Sequence, residues 1–256
     1  GLASFILAYR FYGRFISSKI FKLHEVQGPT PANALEDGVD FIPTNSSVLF
    51  GHHFSSIAGA APIVGPAVAV IWGWLPAVLW IIVGVVFMGA AHDFGALVLS
   101  MHHQGKSMGQ VAEKILGPRS RTLFLVVIFF LVWMVIAVFA LVIANLFISF
   151  PSSVLPVNFE IIIALIMGKL ISSKGKSLLI PSILAQIGLY IMIYLGTIYP
   201  MGLASWLGSY ETMGWIVFLL LYSFIASILP VNILLQPRDY INGHQLFTGL
   251  TLLIVG

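Results

Sequence analysis

Two histidines stand side by side at His52 and His53, inside the run 50–66, which is otherwise apolar enough to enter a bilayer. Histidine titrates near neutrality, so it suits a proton relay or the holding of an anionic group. The same pair could instead cap the start of a helix and bond to loop backbone. Adjacent helical residues point about 100° apart, so only one of the two can face a common lumen. Ser55, Ser56, Gly59, Pro62 and the Gly65-Pro66 step follow. Proline removes a backbone donor and crowds the preceding turn. Broken backbone at membrane depth is tolerated only where it is buried in protein or lines a wet cavity. The ends of half-helices then offer free amides and carbonyls to a carboxylate or a coupling ion. Small residues also serve close helix packing. Ala58, Ala60 and Ala61 fit packing, whereas Gly59 and Pro62 fit a break.

Other polar residues interrupt apolar runs. Asp93 falls in the lower third of a span, where a bare carboxylate is costly and must face protein or water. It has a structural partner available in His92 or in a cytoplasmic cation, and a role in coupling is the alternative. Asn232 stands beside Pro230 and is a candidate for substrate contact. Arg238 and Asp239 follow Pro237 and are expected to pair with each other as an anchor or gate, or to serve as a plain inside anchor. Glu160 is expected near the outer end of its span, at the interface. Asn145 is expected to hydrogen-bond between helices, and His102 and His103 to be solvated.

The elements that position these residues follow from hydropathy. Apolar residues make up 59% of the chain and charged residues 8%, where a soluble domain carries about a quarter charged. The net charge of +3 forms no basic stripe, so nucleic acid is not an expected partner. There are no cysteines, which excludes disulfides, thiolate metal sites and cysteine catalysis. A bilayer-crossing helix needs about 20 mostly apolar residues. Spans are expected at 1–21, 50–72, 76–100, 122–149, 154–173, 178–200 and 213–236, with an eighth starting near 245. The chain begins at Gly1 and stops at Gly256 within an apolar run, which reads as a fragment of a longer protein with a single transmembrane domain over 1–256.

Lysine and arginine mark every second connection. They occur at Arg10, Arg14, Lys19 and Lys22, at Lys106, Lys114, Arg119 and Arg121, at Lys169, Lys174 and Lys176, and at Arg238. The connections at 73–75, 150–153 and 201–212 have none. Short cytoplasmic loops are enriched in these cations, so 22–49 is expected in the cytoplasm and Gly1 outside. A second interruption lies at 228–232, followed by Gln236-Pro237. Counted from the span at 50–72, it falls in the sixth helix, which runs in the opposite sense to the first. That relation is expected of inverted repeats. The fold class expected is an all-α polytopic membrane helix bundle.

Several blocks resemble the CstA carbon starvation protein family. They are 9–13 (Tyr-Arg-Phe-Tyr-Gly), 37–44 (Asp-Gly-Val-Asp-Phe-Ile-Pro-Thr), 48–54 with Gly-His-His-Phe, 57–60, 64–66, 89–94, 229–231 and 235–240 with Pro-Arg-Asp-Tyr. The resemblance covers nearly the whole chain. It implies a bacterial or archaeal inner-membrane protein involved in peptide uptake or, in one branch, in pyruvate uptake with protons. It also implies kinship with the amino acid–polyamine–organocation transporters, which have five-plus-five inverted repeats, here truncated. This sequence departs from the family pattern in its length and at His92, where glutamine would be expected.

The expected function is therefore secondary transport of small organic nutrients with a coupling ion, in a multi-pass plasma-membrane protein. The site candidates are His52, His53, Ser55, Ser56, Gly59, Pro62, Asp93 and Asn232, with Arg238 and Asp239 as gate or anchor. No enzyme activity, cofactor or metal is expected, since neither a nucleotide-binding loop nor a His-Glu-x-x-His zinc motif occurs. An intramembrane metalloenzyme built on His52, His53, His92 and Asp93 is one alternative. A channel or sensory module is another, but a channel would want rings of like residues or filter loops. Substrate, coupling ion and oligomeric state are not legible.

Overall fold

The computed structural model describes residues 1–25, 28–171 and 179–256, and the side chains of 60–63, Pro62 among them, lie outside that description. The basic loop at Lys174 and Lys176 also lies outside the described residues. Within them every regular element is helical. The chain opens with α1 (Leu2–Ala8), which continues in wider turns through Tyr9–Gly13 and Ile16–Ile20. A short α2 (Pro31–Ala34) sits in the following loop. Then come α3 (Ser46–Ile57) and α4 (Ala60–Ala69). Next, α5 (Trp74–Val83) and α6 (Ala91–His102) are joined by wider turns at Gly84–Ala90. The amphipathic α7 (Met108–Leu116) precedes the long α8 (Pro118–Ser149). The chain finishes with α9 (Val154–Ile171), α10 (Leu179–Ile198), the short α11 (Ala204–Leu207), α12 (Glu211–Ile228) and α13 (Leu235–Val255).

Five helical stretches among the described residues are long and apolar enough to cross a membrane: Trp74–His102, Pro118–Ser149, Pro151–Lys169, Ile180–Ile198 and Gly208–Ile228. The expected span 50–72 is instead two pieces. Between α3 and α4 the helix is broken at Ala58 and Gly59, with Gly59 extended at φ −73° and ψ −174°. The break is narrower than expected. Pro66 lies inside α4, so the Gly65-Pro66 step does not interrupt the helix. Proline there removes only one ladder bond, and Pro62 falls in the first turn, where no amide partner is needed.

The second interruption is corrected more substantially. The expected helix 213–236 ends at Ile228, and the segment 229–234 is a turn. The next helix begins at Leu235, not near 245. The interruption therefore separates two helices instead of splitting one. Pro230 cannot donate to the ladder, and the polar residues after it are helical because protein covers them.

The chain forms two compact units. The first comprises Gly1–Pro43 and Ala58–Ile128. In it Tyr12 packs on Phe87 at 4.9 Å and Phe21 on Phe94 at 5.5 Å. The turn after α6 carries Gly105 at φ +73°, where a side chain would strike Phe41. This places the loop before α3 against the basic turn at 103–106. Asp37 ties that loop together: its Oδ1 accepts from the amides of Val39, Asp40 and Phe41 at 2.9, 2.9 and 2.8 Å. Those amides, Phe41's foremost, hold its carboxyl below the usual carboxylate range.

The second unit comprises Thr44–Ile57 and Phe129–Gly256. Its core gathers Val48 of α3, Met167 of α9, Ala185 and Leu189 of α10, and Tyr240 and Ile241 of α13. A second cluster joins Ala144, Phe147, Val154 and Trp215. Small residues allow the closest approaches, as in membrane bundles generally. A side chain at Gly51 would meet the Tyr240 Cα at 3.0 Å. Gly168 lies against the carbonyl of Ile233, and Gly196 against that of Ser152. Two of the three cation-free connections, 150–153 and 201–212, also meet, where the Met201 amide donates to the Pro151 carbonyl at 3.2 Å.

Candidate functional site

Several polar residues of the second unit meet at the first turns of α13. Arg238 and Asp239 are consecutive and point to different helices, as a rotation of about 100° per residue requires. The expected pairing of the two with each other is replaced by two separate pairs. Asp239 takes His52 of α3, with 2.6 Å between Oδ2 and Nδ1. The Ser55 hydroxyl donates to the Asp239 backbone carbonyl at 2.7 Å. Both side chains of the His52–Asp239 pair are mostly covered. The crossing is close because Gly51 and Gly243 face each other there. Beyond it, Phe54 stacks on Phe247 at 4.7 Å.

Arg238 turns the other way, towards α9 and α12. Its Nε lies 3.8 Å from Glu160 Oε1, and its Nη1 donates to the Tyr222 hydroxyl at 3.2 Å. Glu160 is 6% exposed, so it is buried and not interfacial as expected, with the Asn242 amide alongside. Arg238 is correspondingly a residue within a helix, not a loop cation. A carboxylate at this depth needs a partner, and the guanidinium supplies it.

The remaining candidates are placed as follows. His53 is exposed, so of the two histidines it is His52 that engages α13. The Ser56 hydroxyl bonds back to the His52 carbonyl at 2.7 Å, within its own helix. Asn232 lies in the turn before α13, and its Oδ1 is buried without a hydrogen-bond partner among the described residues. Gly59 and Pro62 belong to the first unit. So does Asp93, whose Oδ1 lies 3.4 Å from His92 Nδ1, with side chains 44% and 82% exposed. The first unit also has an open cleft of about 810 Å³ between Tyr9, Tyr12, Val85, Val86 and Phe94, with Arg10 and Arg14 at its edge. No group of three or more His, Cys, Asp or Glu among the described residues is placed to hold a metal ion.

Sequence reasoning missed the Glu160–Arg238 pair. Glu160 is the one carboxylate of α9 and Arg238 the one arginine of α13, and ionisable residues at membrane depth find partners. That rule could have joined them.

The family described as carbon starvation protein CstA matches residues 1–256. The chain belongs to the carbon starvation protein CstA family. It is 37% identical over 253 residues to the peptide transporter CstA of Bacillus subtilis, covering 98% of this chain and 42% of that protein. It is 36% identical over 245 residues to the peptide transporter CstA of Campylobacter jejuni, covering 93% and 34%. It is 35% identical over 246 residues to the pyruvate/proton symporter BtsT of Escherichia coli, covering 93% and 33%. The chain thus spans between a third and about two-fifths of the length of these relatives. No solved structure matches it.

Proposed function

We propose that this chain is part of a secondary active transporter that imports small organic nutrients, peptides or small carboxylates, across a bacterial inner membrane. The observation that carries the reading is the broken helix α3–α4, whose α3 half sets His52 and Ser55 against Asp239 of α13. A discontinuous helix with polar residues beside its break is how transporters build a site in a low-dielectric medium. The relatives' names support a transported solute of either kind.

In this reading the His52–Asp239 pair carries a coupling proton, for which imidazole suits neutral pH. Asn232, whose Oδ1 has no partner among the described residues, supplies an amide group to the solute within the second unit. His53 and Ser56 line the approach. Residues 22–49 lie in the cytoplasm. Supporting this sidedness, the loop before α3 packs on the basic turn after α6, and the cation-free connections 150–153 and 201–212 touch each other.

The test is uptake of labelled alanyl-alanine and pyruvate by proteoliposomes of the full-length protein, with and without an imposed proton gradient. Gradient-driven uptake is expected. His52→Ala should flatten its pH dependence, and His53→Ala should leave that dependence as in the parent. Uptake indifferent to any ion gradient would sink the coupled reading. Cysteines at Ser152 and Ser209 should react with an impermeant reagent from outside, and one at Ser107 should not.

A further inference from the structure

One cavity of the second unit borders the side of α13 that His52 does not use. It holds about 280 Å³ between α8, α9 and α12. Phe139 and Phe218 contribute apolar wall, and Asn158, Tyr222, Ser223 and Arg238 contribute the polar groups. Sites for drug-sized ligands run from about 300 to 1,000 Å³. This one suits a small metabolite or a single terminal residue of a longer solute.

The guanidinium at its edge is incompletely satisfied. Nη1 donates to Tyr222, but Nε is buried without a hydrogen-bond partner among the described residues. Glu160 Oε1, at 3.8 Å, is beyond hydrogen-bond range of it and is also unpartnered. A buried pair that served stability alone should close its hydrogen bonds, because desolvation otherwise exceeds the Coulomb gain. Here the two charges neutralise each other while the buried Nε has no hydrogen-bond acceptor, and it becomes reachable from the cavity only when Glu160 gives way. The Nε edge matches a carboxylate, which arginine binds through two parallel N–H bonds.

Building on the transport reading, we infer that Arg238 docks the carboxylate of the transported solute in this cavity, with Glu160 as the resident counter-ion that the incoming carboxylate displaces. Asn158 and Tyr222 flank the docked group. The carboxylate can come from a small free acid or from the C-terminus of a peptide.

The experiment uses full-length protein in proteoliposomes. Uptake of labelled pyruvate and of labelled alanyl-alanine is competed with each unlabelled acid and with its neutral amide, pyruvamide or alanyl-alaninamide. In the parent at least one acid should compete tenfold or more better than its amide, and the arm that shows this names the source. Arg238→Lys should raise KM for that acid at least tenfold with maximal rate retained. The double variant Glu160→Gln/Arg238→Gln removes both charges together, so no lone charge is left to unfold the protein. It should accept acid and amide alike. An undiminished preference for the acid in the double variant, or no preference in the parent, overturns the assignment. If the parent moves neither solute, the transport reading fails by itself. Calorimetric binding of pyruvate or alanyl-alanine to the solubilised protein then decides. Binding lost in the double variant upholds the docking site, and absent or unchanged binding overturns it.

Discussion

The helices α8 and α13 reverse the arrangement of a water-soluble protein. In α8 every residue from Leu123 to Ile136 is apolar and exposed. In α13 the first turns carry Gln236, Arg238, Asp239, Asn242 and His244, yet Pro237, Tyr240, Ile241 and Gly243 are buried there and both charged residues are half-buried. The long apolar α8 is exposed over this stretch, and the polar start of α13 is covered by α3, α9 and α10. Lipid is as apolar as leucine, so burying α8 gains nothing there. Groups in α13, by contrast, must find partners inside the protein. The outward face of this chain is set by its solvent, and its interior by polar pairing and small residues.

Four measurements sharpen or break that contrast, taken in order of effect. Arg238→Ala leaves Glu160 buried and unpaired, which costs about 3–5 kcal/mol. Thermal unfolding in detergent should fall sharply for it and far less for Glu160→Gln/Arg238→Gln. Equal losses would mean that charge pairing does not organise the interior. Leu131→Arg, on the lipid-facing stretch of α8, should oppose membrane insertion by about 2.5–3.5 kcal/mol, read in a translocon insertion assay. Normal insertion would show that this face is not lipid-exposed.

The third compares two glycines at one crossing. Gly51→Ala pushes a methyl to 3.0 Å from the Tyr240 backbone and should destabilise by about 1–3 kcal/mol. Gly243→Ala meets only ordinary contacts, 3.5 Å to the Gly51 Cα, and should be neutral or stabilising by up to about 1 kcal/mol. The same unfolding assay separates them, and a reversed order would refute the geometry of the crossing.

The smallest effect lies in the loop before α3, at Asp37. Its folded pKa is depressed below 3.8, so its hydrogen bonds hold the loop at pH above that value. They are lost as pH falls through the lower folded value. Asp37→Ala should quicken proteolysis at 37–41 at neutral pH, and acid should reproduce this in the parent only.

The break after Ile57 was legible because Gly59 and Pro62 alter local backbone, and local backbone is written locally. The end of α12 was not. The apolar run to 236 hides it, and Pro230 reads equally as an interruption within a helix or as its end. The start of α13 was placed about ten residues late, because hydropathy treats a polar stretch as a loop unless protein covers it. Of the candidate residues, His52 and Ser55 meet Asp239 and Arg238 meets Glu160, and these partners were not legible in the sequence. Periodicity says that His52 and His53 diverge without saying which meets α13. Glu160 reads as interfacial from its place near the outer end of its span, since its partner lies on a helix far along the chain.

Two carboxylates and one guanidinium meet around the start of α13, and with both carboxylates ionised and His52 neutral they would carry one unit of negative charge. A proton on His52 cancels it. Moving one elementary charge through a membrane potential involves about 2.3 kcal/mol per 100 mV. The protonation state of the cluster as a whole therefore decides whether any displacement of it along the membrane normal does electrical work or is electrically silent.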